Sequence, residues 1–271
     1  KLNIKLIGCI LTGFALLISV SALAQRPKVG LVLSGGGAKG ISHVGILQAI
    51  DSAGLKIDYI TGTSMGSIVG ALYAVGYSGK YSVEVGLRDG KPQMATGLIE
   101  SEELWLTLNR LFLPVYNIKD FSKFNIPFKC VTADLSDGKA VVLDKGEIVS
   151  AIRSSMAIPS IFTAVDYDST KLVDGGIIRN FPVSDVKKMG ADIVIGVNLF
   201  LGLPDPKNLN NVLDVFYQIT QYRDAEDLVH EKKLCDLIIV PPVEKYSAGS
   251  FGSIKEILQI GKETWNKYYP N

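Results

Sequence analysis

Only three cysteines occur in 271 residues, which excludes a scaffold built on disulfides. Only two histidines are present. With no H-E-x-x-H string and no cysteine pair at zinc spacing, no metal site is expected. Neither sign of charge dominates, since 28 basic residues face 27 acidic ones. No Lys/Arg run stands out, which removes the electrostatic case for nucleic acid. Internal repeats and low-complexity tracts are missing, and 47% of the residues are apolar, so the composition is not that of a disordered chain. The length is near the upper limit for one hydrophobic core, and a single α/β domain is the expected unit.

One apolar run is long. Lys1 and Lys5 open the chain, Leu6 to Val20 follows, and then Ala22-Leu23-Ala24. A basic start, an apolar stretch and an A-x-A site predict a secretory signal peptide over residues 1–24, cut before Gln25. The run is shorter than the roughly 20 residues that span a bilayer. An uncleaved anchor, or lipidation at Cys9 within Leu6-Ile7-Gly8-Cys9, is the alternative. Export leads to the periplasm, the outer membrane or the extracellular space. Cys130 and Cys235 lie in or beside apolar strand-like runs, so two buried free thiols are expected rather than a pair. The chain does not start with Met, which leaves room for a longer protein.

The rest alternates between strand and helix signals. Val29–Leu33 is a short apolar run, and Gly35-Gly-Gly-Ala-Lys-Gly40 follows it. Ile41, Val44, Leu47 and Ile50 then recur at helical spacing, and Gly54 ends that helix. Tyr59-Ile60 reads as a second strand, Gly62-Thr-Ser-Met-Gly66 as a turn, and Ser67 to Val75 as a helix of small residues. Residues 77–127 read as irregular, with one amphipathic helix near Glu102 to Leu113. Phe128–Asp134 and Lys139–Leu143 flank Ser136-Asp137-Gly138 as a hairpin. Further helices are expected at Glu147–Ser155, Pro182–Met189, 212–234 and Ser253–Tyr268. Further strands are expected at Lys171–Val173, Asp192–Leu199 and Leu237–Val240. This alternation predicts a largely parallel sheet covered on both faces.

Chemistry is concentrated at three strings. Gly62-x-Ser64-x-Gly66 lies at a strand-to-helix junction, the context of a nucleophile elbow. Gly35–Gly40 also joins a strand to a helix, and its unobstructed N–H groups suit an oxyanion or a phosphate. Gly35, Gly37 and Gly40 also satisfy the dinucleotide fingerprint, which requires an acidic residue at the end of the second strand. Asp58 precedes Tyr59-Ile60 instead. Asp174-Gly175-Gly176 supplies a carboxylate that could be a base or a simple turn former. The order Ser64, Asp174, His230 fits the α/β-hydrolases. Those enzymes, however, place several strands before the nucleophile, and here there is room for only one strand–helix unit and one strand. His230 reads as a solvated residue on a charged helical face, and His43 as packing or capping.

Taken in order, these three strings resemble the patatin-like phospholipases, and within them the bacterial branch related to neuropathy target esterase. Ile41-Ser-His-Val-Gly45, Arg153-Ser-Ser-Met-Ala-Ile-Pro159 and Asp174-Gly-Gly-Ile-Ile-Arg-Asn-Phe-Pro182 agree with it. The resemblance is strong over roughly residues 28–200. It implies a three-layer α/β/α sandwich over residues 25–271 and a Ser–Asp dyad without histidine. Ser64 would match the nucleophile and Asp174 the base. Backbone N–H groups of Gly35, Gly36 and Gly37 would match the oxyanion hole, with Lys39 beside it. Gly62, Gly66, Gly175 and Gly176 would shape the turns. The implied activity is ester hydrolysis of the phospholipase A or lysophospholipase type, without a cofactor or metal, on a lipid ester or phospholipid at a membrane surface. An unperturbed aspartate, with a pKa near ~3.9, is a weak base toward an alcohol, so burial would have to raise it.

Two features leave alternatives. The stretch from Tyr77 to Gly97 is shorter than in the family, which affects the access loop. Some relatives carry an outer-membrane barrel after this domain, so a catalytically weak lipid-binding or assembly module fused to such a barrel is the rival reading. Phe112, Phe121, Phe124 and Phe128 could line an acyl channel or form ordinary core.

Overall fold

Residues 26–79, 101–159, 161–200, 202–203, 205–208, 215, 218–219 and 221–268 are described in the computed structural model, residues 101–103 by backbone alone. The expected signal peptide, most of the access loop from Tyr77 to Gly97, and most of 212–221 lie outside the described residues. In chain order the regular elements are β1 (Val29–Leu33), α1 (Ile41–Ser52), β2 (Tyr59–Thr63), α2 (Met65–Ala74), α3 (Ser101–Phe112), β3 (Phe128–Asp134), β4 (Ala140–Leu143), α4 (Ile148–Ser155), β5 (Val165–Tyr167), β6 (Thr170–Asp174), α5 (Val183–Lys188), β7 (Ile193–Val197), α6 (Tyr222–Leu234), β8 (Leu237–Ile239) and α7 (Ile254–Tyr268).

Five strands pair in parallel in the order β3-β2-β1-β7-β8. β4 and β6 run antiparallel to β3, and β5 runs antiparallel to β6. The chain moves from β1 to β3 in one direction and returns to β7 and β8 on the other side of β1. The strand order therefore reverses between β1 and β7. In open parallel sheets the ligand crevice opens at the carboxyl ends of the strands at such a reversal.

Side chains alternate across the sheet with the strand period of two. Leu31 and Leu33 of β1 and Ile195 and Val197 of β7 join the larger core, packed against α1, α2 and α7. Val32 and Val194 face the other way, into a smaller core with Val186 of α5 and Leu228 of α6. Two helical layers thus enclose one sheet, and the three-layer α/β/α expectation holds. Cys130 is buried in the larger core and Cys235 lies half-buried beside the smaller one; both are free thiols on opposite faces. Phe112, Phe121, Phe124 and Phe128 all pack inside the larger core, with Phe121 stacked on Phe124 at 5.2 Å.

The differences from the expected elements have physical causes. β2 runs on through Thr63 because Thr61 and Thr63 bury their hydroxyls on the carbonyls of Pro182 and Arg179. Apolar periodicity does not register paired hydroxyls of this kind. β5 is a short, largely exposed edge strand hydrogen-bonded to β6, so it carries no apolar signal. Glu147 stands outside α4 as its N-cap and accepts from the N–H groups of Val149 and Ser150 at 3.0 and 2.7 Å.

Candidate active site

β3 outlasts β2, and this positions the site. The first half of β3 pairs with β2 as far as Thr63 opposite Val131. The next residue, Thr132, pairs with Asp174 at the end of β6. β4 occupies the opposite edge of β3 from Cys130 to Ala133. β2 and β6 therefore share one edge of β3 and meet end to end. Ser64, directly after β2, and Asp174, the last residue of β6, are brought together by this register.

Ser64 turns sharply. Its φ of 52° and ψ of −124° fall outside the comfortable range of a residue with a side chain, a strain typical of functional turns. The neighbouring glycines make the turn possible. A Cβ on Gly62 would stand 2.5 Å from the Gly66 carbonyl oxygen, and one on Gly66 would stand 2.1 Å from that of Leu33. The Ser64 N–H donates to Ser155 Oγ at 3.0 Å, and that hydroxyl donates to the Val131 carbonyl at 2.7 Å. Ser155 thus ties the elbow to β3. Ser155 lies in the Arg153–Pro159 string, but a serine on a helix is common and its bracing role is not legible there.

The Ser64 hydroxyl donates to Asp174 Oδ2 at 2.7 Å. Asp174 Oδ1 accepts the Gly176 N–H at 2.7 Å, and the Asp174 N–H donates to the Ala157 carbonyl at 3.0 Å. Gly175 passes so close to β3 that a Cβ would meet the Val131 oxygen at 2.4 Å. Asp174 is only 5% exposed. Burial pushes its carboxyl up to about 6, while the Ser64 and Gly176 hydrogen bonds oppose the rise.

The glycine loop leaves β1 beside the elbow. The Gly35 N–H donates to Asn180 Oδ1 at 2.9 Å, so it is already engaged. The Ala38 N–H is held by the Ala248 carbonyl at 2.7 Å, and Lys39 N–H by Gly36 at 3.2 Å. No hydrogen bond among the described residues engages the N–H of Gly36 or Gly37. Gly37 has φ +55°, and a Cβ there would stand 2.4 Å from the Ala248 oxygen. Lys39 is half-buried, and desolvation lowers its ammonium, opposed by the charge of Glu244.

Neither histidine takes part. His43 is buried behind the loop, with Nε2 at 2.8 Å from the Ser34 carbonyl. Burial pushes it down to about 4, so it stays neutral. This is packing, one of the two roles expected for it. His230 is exposed on α6. The dinucleotide reading also fails on geometry. Asp58 binds the Val29 N–H at 2.9 Å and Arg26 at 2.7 Å, at the amino ends of β1 and β2. That is the opposite edge of the sheet from the glycine loop.

A cavity of about 510 Å³ opens over Ser64 and Asp174, within the usual range for ligand pockets. Ile158, Ile161, Ile177, Leu199 and Phe200 form its apolar wall, and Lys39 contributes a cation. None of the four phenylalanines named above lines it. Among the described residues no cluster of three metal-ligating side chains occurs, and no helix is long and apolar enough to cross a membrane.

Fold and site define an α/β protein with a buried serine–carboxylate pair at the carboxyl edge of a parallel sheet. A family model described as Patatin-like phospholipase matches residues 31–187, more than half of the chain, so the protein belongs to the patatin-like phospholipase family. Lysophospholipase NTE1 of Scheffersomyces stipitis is 27% identical over 287 residues, covering 93% of this chain and 18% of that protein. Lysophospholipase nte1 of Aspergillus fumigatus is 28% identical over 269 residues, covering 86% of this chain and 18% of that protein. The chain thus spans less than a fifth of the length of these curated relatives. Among solved structures, VipD from Legionella pneumophila is similar with a TM-score of 0.45 at 15% identity, over 87% of this chain and 67% of that one. Human GIVD cytosolic phospholipase A2 is similar with a TM-score of 0.47 at 11% identity, over 88% and 58%.

Proposed function

We propose that this chain is a serine lipid acyl hydrolase of the phospholipase A or lysophospholipase type, working through a Ser64–Asp174 dyad. The 2.7 Å hydrogen bond from Ser64 Oγ to Asp174 Oδ2 at the floor of an apolar cavity carries this reading. Ser64 Oγ attacks the ester carbonyl, and its proton passes to Asp174 Oδ2. The tetrahedral oxyanion faces the N–H groups of Gly36 and Gly37. Each such donor contributes roughly 3 kcal/mol to transition-state stabilisation. The intermediate collapses, Asp174 returns the proton to the leaving alcohol, and an acyl ester remains on Ser64. Water attacks the acyl ester as Asp174 takes its proton, and Asp174 returns that proton to Ser64 Oγ as the fatty acid leaves. A base raised to about 6 is stronger than an ordinary aspartate and is still mostly ionised at neutral pH.

The wall of Ile158, Ile161, Ile177, Leu199 and Phe200 suits an acyl chain. Ile161 is 66% exposed at the mouth, where it would touch a lipid surface. Lys39 stands beside the loop and would face an anionic headgroup or the developing oxyanion. No observation favours the lipid-binding module, because serine, carboxylate and glycine loop are all positioned. Residues 1–24 are proposed to direct export to the periplasm, the outer membrane or the extracellular space. A secreted or periplasmic chain beginning at Gln25 is the expected result of amino-terminal sequencing. The activity is tested by labelling with a fluorophosphonate and by fatty-acid release from lysophosphatidylcholine. Both are expected in the wild type and lost in Ser64→Ala. A folded chain that neither labels nor hydrolyses would contradict the reading.

A further inference from the structure

Asp174 is not alone among the buried carboxylates near the site. Asp224 lies near the start of α6 and is 1% exposed. Its Oδ1 accepts the backbone N–H of Asn180 at 2.6 Å. Its Oδ2 is fully buried and has no hydrogen-bond partner among the described residues. A carboxyl group buried with so little compensation is costly to the fold. The one bond it makes leads straight to the site.

Asn180 joins Asp224 to the glycine loop. Its backbone is held by Asp224, and its side-chain Oδ1 accepts the Gly35 N–H at 2.9 Å. The contact is tight, since a Cβ on Gly35 would stand 2.5 Å from Asn180 Oδ1 and 2.8 Å from Ser64 Cβ. On its other side the same oxygen is 3.0 Å from where a Cβ on Gly176 would stand, as is Asp174 Oδ1. Asn180 therefore wedges between the loop that faces the oxyanion and the residue that binds the base. α6 itself packs on α5 and on the turn Gly175–Ile177.

We propose that Asp224 is a positioning residue that, through Asn180, fixes the glycine loop against the Ser64 elbow. The outer α6 layer thereby sets the geometry of the oxyanion donors. This rests on the reading of Ser64 and the loop given above. Burial pushes the Asp224 carboxyl up to about 7, with the charges of Asp227 and Asp174 adding to the rise. The group is therefore often neutral near physiological pH, and Asn is its faithful isostere: it keeps the acceptor for the Asn180 N–H.

The test compares Asp224→Ala, Asp224→Asn and Asp227→Asn in the full chain. Asp227 lies on the same helix and pairs with Arg179 at 3.3 Å, so Asp227→Asn controls for general weakening of α6. Two quantities are read: kcat per fluorophosphonate-reactive serine, and hydrogen exchange of the peptide spanning residues 33–40. In Asp224→Ala, kcat per reactive serine is expected to fall about 10- to 100-fold, the cost of a small misplacement. KM should stay within about twofold, since the apolar wall is untouched. Loop exchange should quicken. Asp224→Asn should recover most of both losses, and Asp227→Asn should lower the melting temperature without either effect. Unchanged kcat per reactive serine in Asp224→Ala overturns the proposal, whether or not exchange quickens. So does an equal loss in Asp227→Asn. A wild type that fails to label or hydrolyse sinks the hydrolase reading instead, and the exchange comparison then still decides whether Asp224 holds the loop.

Discussion

Two aspartates sit at opposite edges of the same sheet and differ in opposite directions. Asp58, at the amino ends of β1 and β2, accepts the Val29 N–H and is gripped by Arg26, with Lys28 at 3.5 Å. Those cations and hydrogen bonds hold its carboxyl below the usual range against the opposing effect of burial. Asp174, at the carboxyl edge, also accepts a backbone N–H, but its other partner is the neutral Ser64 hydroxyl, and among the described residues no cation pairs with it. Burial then wins, and the carboxyl rises to about 6. One sheet thus carries an ionised anchor at one edge and, at the other, a buried carboxyl raised to about 6, which is the proposed base. The difference comes from the deeper burial of Asp174 and from the cations that accompany Asp58.

The largest test of this contrast exchanges each carboxylate for its amide. Asp174→Asn should lower kcat by about 10⁴-fold, the scale seen when a catalytic carboxylate is neutralised. The same variant should be more stable than wild type at pH 8. Ionising a carboxyl moved from 3.8 to about 6 costs the fold about 3 kcal/mol, and the amide avoids that cost. Fatty-acid release and thermal melting read the two effects. Asp58→Asn should do the reverse, leaving kcat unchanged and lowering stability by about 1–2 kcal/mol through loss of charge-assisted bonds.

The pH dependence has opposite signs at the two edges. Folded Asp174 holds a proton between about pH 4 and 6 that the unfolded chain has released. Its contribution to stability therefore declines as pH rises through that window, and Asp174→Asn should flatten this part of the melting curve. Asp58 has a lowered carboxyl, so its contribution is present above the ordinary range and is lost as pH falls through the lowered value. Activity should climb with pH through about 6 as Asp174 becomes ionised.

Gly37→Ala should cost less than the loss of Asp174. A left-handed φ and a carbonyl oxygen at 2.4 Å from the new Cβ would displace one oxyanion donor, for a loss of about 10²–10³ in kcat. The smallest effect is expected for Ser155→Ala. It removes a single neutral acceptor from the Ser64 N–H and should lower kcat by about tenfold.

The sequence revealed the strings but not what braces them. Gly62, Gly66 and Gly37 are visible because a Cβ at each would run into backbone. Strands and helices of the sheet core are visible through apolar periodicity, with the exposed edge strand β5 as the exception. Asp224 left no comparable mark, and Ser155 and Asn180 stood out only as members of strings shared with the family. They act through hydrogen bonds across the fold, between residues 91, 145 and 44 positions apart, and no local pattern records such contacts. The meeting of Ser64 with Asp174 was legible only through resemblance. Physically it follows from β3 being longer than β2, a matter of register that propensity does not encode. The four phenylalanines carried no directional signal either, and packing resolved them as core.

The dyad is tested most directly by the rate of fluorophosphonate labelling of Ser64 as a function of pH, in wild type and in Asp174→Asn. The wild-type rate should rise through about pH 6 and level above it, and the variant should label slowly without that rise. Equal labelling rates in the two proteins would contradict it, because Ser64 would then be activated by something other than Asp174.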